Sequence, residues 1–137
     1  MKGNMRLARR VLMAAAGVFG VIGLGCLIAP AALLGTVDVE LPTATARVEI
    51  YAWYGGLELG IAAFLALCAS RGDWVRLGLT ASSLMLGGLG LARLLGALAL
   101  TGTHWIHYPL AAAELGGAAL CIWASRRVPN PRSPLWF

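Results

Sequence analysis

Four long apolar stretches, residues 11–29, 51–70, 77–101 and 108–125, limit what this chain can fold into more than any other feature. A bilayer core about 30 Å thick is crossed by about 20 mostly apolar residues in a helix, and each stretch is close to that length or longer. Each is also apolar around most of its circumference, unlike the half-solvated stripe of a surface helix. The stretches stop at breakers or charges: Pro30, the turn Arg71-Gly72-Asp73, and Gly102-Thr103-His104. Leu, Ala and Gly dominate and polar–apolar alternation is absent, so no strand pattern competes. Composition agrees, with 59% of residues hydrophobic and 12% charged, against about a quarter charged in soluble domains. An ordinary cytosolic enzyme, a disordered chain and a secreted disulfide scaffold are thereby excluded. The expectation is an all-α integral membrane four-helix bundle, a single transmembrane domain over residues 1–137.

The basic residues give this bundle a direction. Lys2, Arg6, Arg9 and Arg10 precede the first stretch, Arg71 and Arg76 fill the second connection, and Arg126, Arg127 and Arg132 follow the fourth. Nine of the 11 thus fall on one side, Arg47 falls on the other, and Arg93 lies inside a stretch. By the positive-inside rule both termini are cytoplasmic, as expected for a multi-pass protein of a bacterial inner membrane. Tyr51, Trp53, Tyr54, Trp105 and Tyr108 mark the outer interface, and Trp74 and Trp123 the inner one. The net charge of +5 reads as a topology signal, with the lipid bilayer and not nucleic acid as the partner. A second reading makes the first stretch a signal peptide ending near Ala29-Pro30-Ala31-Ala32. Against it, the apolar run is long and carries Gly17, Gly20 and Gly23, a small-residue face for helix packing.

Two elements recur. Glu58-Leu59-Gly60-Ile61-Ala62-Ala63 and Ala69-Ser70-Arg71 in the second stretch return as Glu114-Leu115-Gly116-Gly117-Ala118-Ala119 and Ala124-Ser125-Arg126 in the fourth. The offsets are 56 and 55 residues. A weaker Gly-Leu-Gly is shared at residues 23–25 and 88–90. The pattern fits a duplicated helical hairpin with both copies running the same way, or else a coincidence in Ala/Leu/Gly-rich text. Either way, Glu58 and Glu114 hold equivalent places.

Three charges have no role in topology: Glu58, Arg93 and Glu114. Counted at 1.5 Å per residue from Tyr54, Thr101 and Tyr108, all three fall about 6–12 Å beneath the outer interface. An isolated charge at such depth costs about 2.5–3.5 kcal/mol on insertion scales, so mutual pairing inside the bundle is expected. The planar fork of Arg93 suits bridging both carboxylates. Two acids and one base leave an excess negative charge, so one carboxyl keeps its proton or finds another cation. Such a group is a natural general acid or proton carrier. In α-helical phase Tyr51 and Tyr54 share the face of Glu58, and His107 shares that of Glu114. Gly90 and Gly96 leave one side of Arg93's helix open to a neighbour, and Gly56 and Gly60 do so on the second stretch. The candidate set is Glu58, Arg93 and Glu114 for chemistry and Tyr51, Tyr54, Trp105 and His107 for ligand binding. The alternatives are a structural salt-bridge triad, a binding or catalytic pocket, and an ion or proton path.

Other signals are weaker. His104 and His107 have a spacing that can serve a metal with Asp38, Glu40 or Glu49, but interfacial histidines also serve as polar anchors, and no metal is assigned. Cys26, Cys68 and Cys121 are odd in number, lie within stretches and read as small packing residues. No phosphate loop, nucleophile elbow, dinucleotide fingerprint or haem motif occurs, so the cofactor stays unknown. The connection over residues 30–48 can cap a pocket with Asp38 and Glu40. The tail Pro129-Asn130-Pro131-Arg132-Ser133-Pro134 reads as extended, leaving Trp136 and Phe137 to touch a membrane surface or a partner.

The runs Tyr54-Gly55-Gly56-Leu57-Glu58-Leu59-Gly60 and Gly88-Leu89-Gly90-Leu91-Ala92-Arg93 resemble a bacterial family of small four-helix membrane proteins of unknown function. The likeness covers roughly residues 10–126. More distantly the layout is similar to DoxX-like proteins, four-helix proteins linked to quinone-related membrane oxidoreductases. The resemblance implies the four-helix fold and weight on Glu58 and Arg93, and it implies no reaction. Four roles follow from residues and resemblance together, the last a proton-coupled small transporter, which four spans would support only as a dimer. The first is a protein handling an amphipathic ligand such as a quinone, isoprenoid or lipid, and the second an acid/base enzyme (isomerase, cyclase or hydrolase) on such a ligand. The third is a non-catalytic subunit of a larger membrane complex, or a homo-oligomer.

Overall fold

A computed structural model describes residues 2–128; the expected extended tail lies outside them. All regular structure among the described residues is helical. Helix α1 (Lys2–Ile28) begins well before the first apolar stretch, so Arg6, Arg9 and Arg10 ride on its opening turns. It stops where Pro30 removes a backbone donor, and the chain resumes as a short α2 (Pro30–Gly35) with proline in its first turn. Thr36 Oγ1 donates to Leu33 O at 2.6 Å, and Asp38, at φ 60°, turns the chain away.

Helix α3 (Ala44–Ile50) is opened by Thr43, whose Oγ1 accepts from Ala46 N at 3.0 Å. It runs without a break through a π-helical segment (Tyr51–Gly56) into α4 (Leu57–Ser70). The second apolar stretch therefore extends seven residues further toward the N-terminus than hydropathy alone suggests, as a 27-residue rod from Ala44 to Ser70. Helices α5 (Val75–Ala99) and α6 (His107–Arg127) form the second pair. Their connection turns at Gly102, φ 80°. It is tied down by Thr103 Oγ1 and Tyr108 Oη, each donating to Ala97 O at 3.2 Å.

Three helical rods, Asn4–Ile28, Ala44–Ser70 and Val75–Ala99, are long and apolar enough to cross a membrane. Helix α6 has 21 residues, which is length enough, but Tyr108, Pro109, Glu114 and the terminal Arg126 and Arg127 dilute its hydropathy.

Packing follows the two halves. Helix α1 lies along α4 and α5 lies along α6, and these pairs meet through α1 with α6 and α4 with α5. The small-residue face of α1 is only partly used. A Cβ at Gly23 would stand 3.0 Å from Gly55 O, and one at Gly55 would overlap the side chain of Leu27, so α1 and the π segment touch backbone to backbone. Gly17, Gly60 and Gly96 face open space; the approach expected at Gly60 is made at Gly55 instead. Gly90 does admit a neighbour, with Leu115 and the Cβ of Glu114 within about 3 Å of where its own Cβ would be.

The bundle is tight at one end only. Leu12, Phe19, Leu65, Cys68, Val75, Leu79, Cys121 and Val128 belong to one buried cluster. It sits at the end that carries the N-terminal arginines and the Arg71 turn. There Arg71 and Arg127 lie over the rings of Trp74 and Trp123, at 4.7 and 4.1 Å from their centroids. The opposite end is hollow.

Candidate functional site

The hollow end holds a chamber of about 460 Å³. Tyr54 and Glu58 line it from the second rod, Leu89 and Arg93 from α5, and His107, Leu110 and Glu114 from α6. Ile22 and Cys26 of α1 complete the wall, and Leu33, Leu34, Thr36, Val37 and Val39 roof it. Glu58, Arg93 and Glu114 therefore border one space.

They do not form one triad. Arg93 Nε donates to Glu114 Oε1 and Oε2 at 3.0 and 2.9 Å, and its Nη2 stands 2.8 Å from Oε1. The side chains are 23% and 13% exposed, so this is a forked, mostly desolvated pair. Arg93 Nη1 also reaches His107 Nδ1 at 3.5 Å. Gly90 makes the pair possible: one turn below Arg93, it lets α6 approach closely enough to set Glu114 beside the guanidinium.

Glu58 stands apart. Its Oε2 is buried with no hydrogen-bond partner, and the described contacts of Arg93 do not include it. The expected bridge across two carboxylates is thus replaced by a closed Arg93–Glu114 pair facing a lone carboxyl. The reason is helix placement. Arg93 is on α5, which packs along α6, whereas Glu58 is on α4, whose main partner is α1.

The four expected ligand-binding residues divide. Tyr54 and His107 line the chamber; Tyr51 and Trp105 are not among its lining residues. For Tyr51 the cause is the π segment, whose wider turn breaks the seven-residue phase that would align it with Glu58. Trp105 is 67% exposed and tilts against His104, ring centroids 5.8 Å apart. His104 Nδ1 is engaged by Ile106 N at 3.4 Å, and no group of three or more His, Cys, Asp or Glu among the described residues is arranged to hold a metal ion.

Two features of the site were not read from the sequence. One is the π segment, announced only by the Gly55-Gly56 doublet. The other is the nature of the roof. The connection after α1 does cover the chamber, but with leucines and valines; Asp38 and Glu40 are not among the lining residues. Leu33 and Leu34, an apolar pair in a connection that should be wet, were the available signal. Cys26, read as a packing residue, is buried and lines the chamber as well.

Residues 7–125 match a family described as Domain of unknown function (DUF4345). No curated protein and no solved structure matches the chain.

Proposed function

The chain belongs to the DUF4345 family, which brings no reaction with it, and from its own geometry we propose that it is a membrane protein that binds an amphipathic, lipid-like ligand in this chamber. One observation carries the reading: Glu58 borders a space large enough for a ligand head, and its Oε2, just behind that wall, is buried and unpartnered. A buried acceptor left unmade costs about 1–3 kcal/mol, and a structural triad would have spent Glu58 on Arg93. A group kept in that condition beside a cavity is poised for a partner from outside the chain.

In this account α6 crosses the bilayer as the fourth span. Its low hydropathy comes from Glu114, which Arg93 neutralises, and from interfacial Tyr108 and Pro109. The arginine-rich closed end faces the cytoplasm of a bacterial inner membrane and the chamber faces the outer leaflet. The Arg93–Glu114 pair fixes the α5–α6 wall and presents His107, while Glu58 and Tyr54 contact the ligand head from the opposite side. Quinones, isoprenoids and lipids all have the required polar head and apolar body.

A second reading rests on the same oxygen. With a ligand seated, Glu58 is placed to take a proton from it and return the proton elsewhere on it, which is acid/base isomerisation. Arg93 and Glu114 then act as positioning residues.

The test is extraction of the protein from its native membrane in mild detergent, followed by mass analysis of what co-purifies. The wild type is expected to carry a stoichiometric amphiphile that Glu58→Gln and Arg93→Ala lose. The same lipids at the same ratio in all three proteins would overturn the proposal.

A further inference from the structure

The chamber does not end at its own walls. A second hollow of about 520 Å³ runs between α1 and α6 and is bordered by Val11, Ala15, Val18, Ala113 and Gly117, with Arg10 at its far end. Ile22, Leu110 and Glu114 line both spaces, so groove and chamber meet beside the carboxylate. The groove exists because α6 leans on α5: a Cβ at Gly117 would meet Leu86 of α5 at 3.1 Å. Facing α1, α6 presents Ala113, while α1 offers Ala14 and Ala15, which cannot fill the gap. From Ile22 to Arg10 is twelve residues of helix, or about 18 Å, the length of a long hydrocarbon chain. Apart from Arg10 and Glu114 at its two ends, its walls are apolar.

Charge narrows the head. Arg93 is already neutralised by Glu114 through a forked pair, and the other carboxyl on the chamber wall, Glu58, has an oxygen, Oε2, without a donor. At the chamber an anionic head would find the cation Arg93 already taken by Glu114, with Arg10 out of reach at the far end of the groove. A hydroxyl or an amine would supply the missing donor.

We propose that the ligand is a single-tailed amphiphile with a hydroxyl or amine head, its head donating to Glu58 and its tail lying in the α1–α6 groove. This rests on the chamber being a ligand site, as proposed above. The ligand enters sideways from the bilayer between α1 and α6, passing Glu114 with its head to reach Glu58.

The test uses the full chain in phosphatidylcholine nanodiscs with photoactivatable sixteen-carbon probes bearing a hydroxyl, an amine or a phosphate head. Each is made with the diazirine either beside the head or at the tail end, and cross-links are mapped by peptide mass. Head-side label on α4 and α5 at the chamber, with tail-side label on α1 and α6 along the groove, is the expected result for the alcohol or the amine, and whichever labels better identifies the head. The phosphate probe is expected to show no saturable label. Filling the groove with Ala14→Phe and Ala113→Phe, both at exposed positions, should lower saturable labelling about tenfold or more as the tail loses its burial. If the head labels the chamber but the tail labels other lipid-facing positions, the groove assignment is overturned and the chamber reading stands. Saturable labelling by the phosphate probe alone overturns the head assignment. If no probe labels the chamber saturably, both fail. The wild-type cross-link map decides among these outcomes even if the filled variant does not fold.

Discussion

Replacing Glu58 and Glu114 by leucine, one at a time, asks two repeat-equivalent carboxylates whether the fold needs them. Glu114 holds Arg93 through three contacts of 2.8–3.0 Å. Without it the guanidinium, 23% exposed, keeps only His107 at 3.5 Å. Breaking a buried pair from one side costs about 3–5 kcal/mol. Because part of Arg93 is reachable and can turn toward Glu58, a loss of about 2–4 kcal/mol is expected. Glu58 is the opposite case. Its Oε2 already lacks a partner, a condition that costs about 1–3 kcal/mol, so leucine should leave stability unchanged or raise it by up to about 2 kcal/mol. The assay is reversible unfolding by sodium dodecyl sulfate in mixed micelles, followed by circular dichroism after exhaustive lipid removal. A loss above about 1 kcal/mol for Glu58→Leu, comparable to that for Glu114→Leu, would refute the reasoning. It would make Glu58 part of the scaffold.

Three further outcomes follow from the same contacts. Arg93→Lys replaces a fork by a point charge that cannot hold both carboxylate oxygens, so the same unfolding assay should show a loss of about 1–2 kcal/mol; an unchanged midpoint would remove the bidentate argument. Gly55→Leu drives a side chain into Leu27 and should cost about 1–3 kcal/mol. Gly60→Leu, with open space around it, should be close to neutral, and equal losses at the two sites would contradict the packing described. For orientation, single cysteines introduced by Thr103→Cys and Gly72→Cys can be labelled in intact cells with an impermeant maleimide. Thr103→Cys should react directly and Gly72→Cys only after lysis, and the reverse order would invert the topology.

Much of this arrangement was legible before any coordinates, because hydropathy and charge scarcity are one-dimensional properties. Apolar length announced the rods, and the few charges without a topological role pointed to Glu58, Arg93 and Glu114. What sequence periodicity does not carry is which helix leans on which. Pairing of α5 with α6 gave Arg93 to Glu114 and left Glu58 across the chamber, although all three border the same space. The π segment was hidden for a related reason. Phase counting assumes an α-helix throughout, and one widened turn at Tyr51–Gly56 moves Tyr51 out of register while Tyr54 stays at the wall. The second rod starts earlier than its apolar stretch because Arg47 and Glu49 interrupt the hydropathy without interrupting the helix. The groove arises from Ala and Gly facing each other across α1 and α6, a tertiary coincidence that neither helix shows alone.

The central claim is that the chamber beside Glu58 is built for a ligand, and a density map of the protein purified directly from its native membrane tests it most directly. The account predicts non-protein density in the chamber within hydrogen-bonding distance of Glu58, with the Arg93–Glu114 pair intact behind it. A chamber collapsed onto itself, with Glu58 drawn into the pair as a third member, would contradict it.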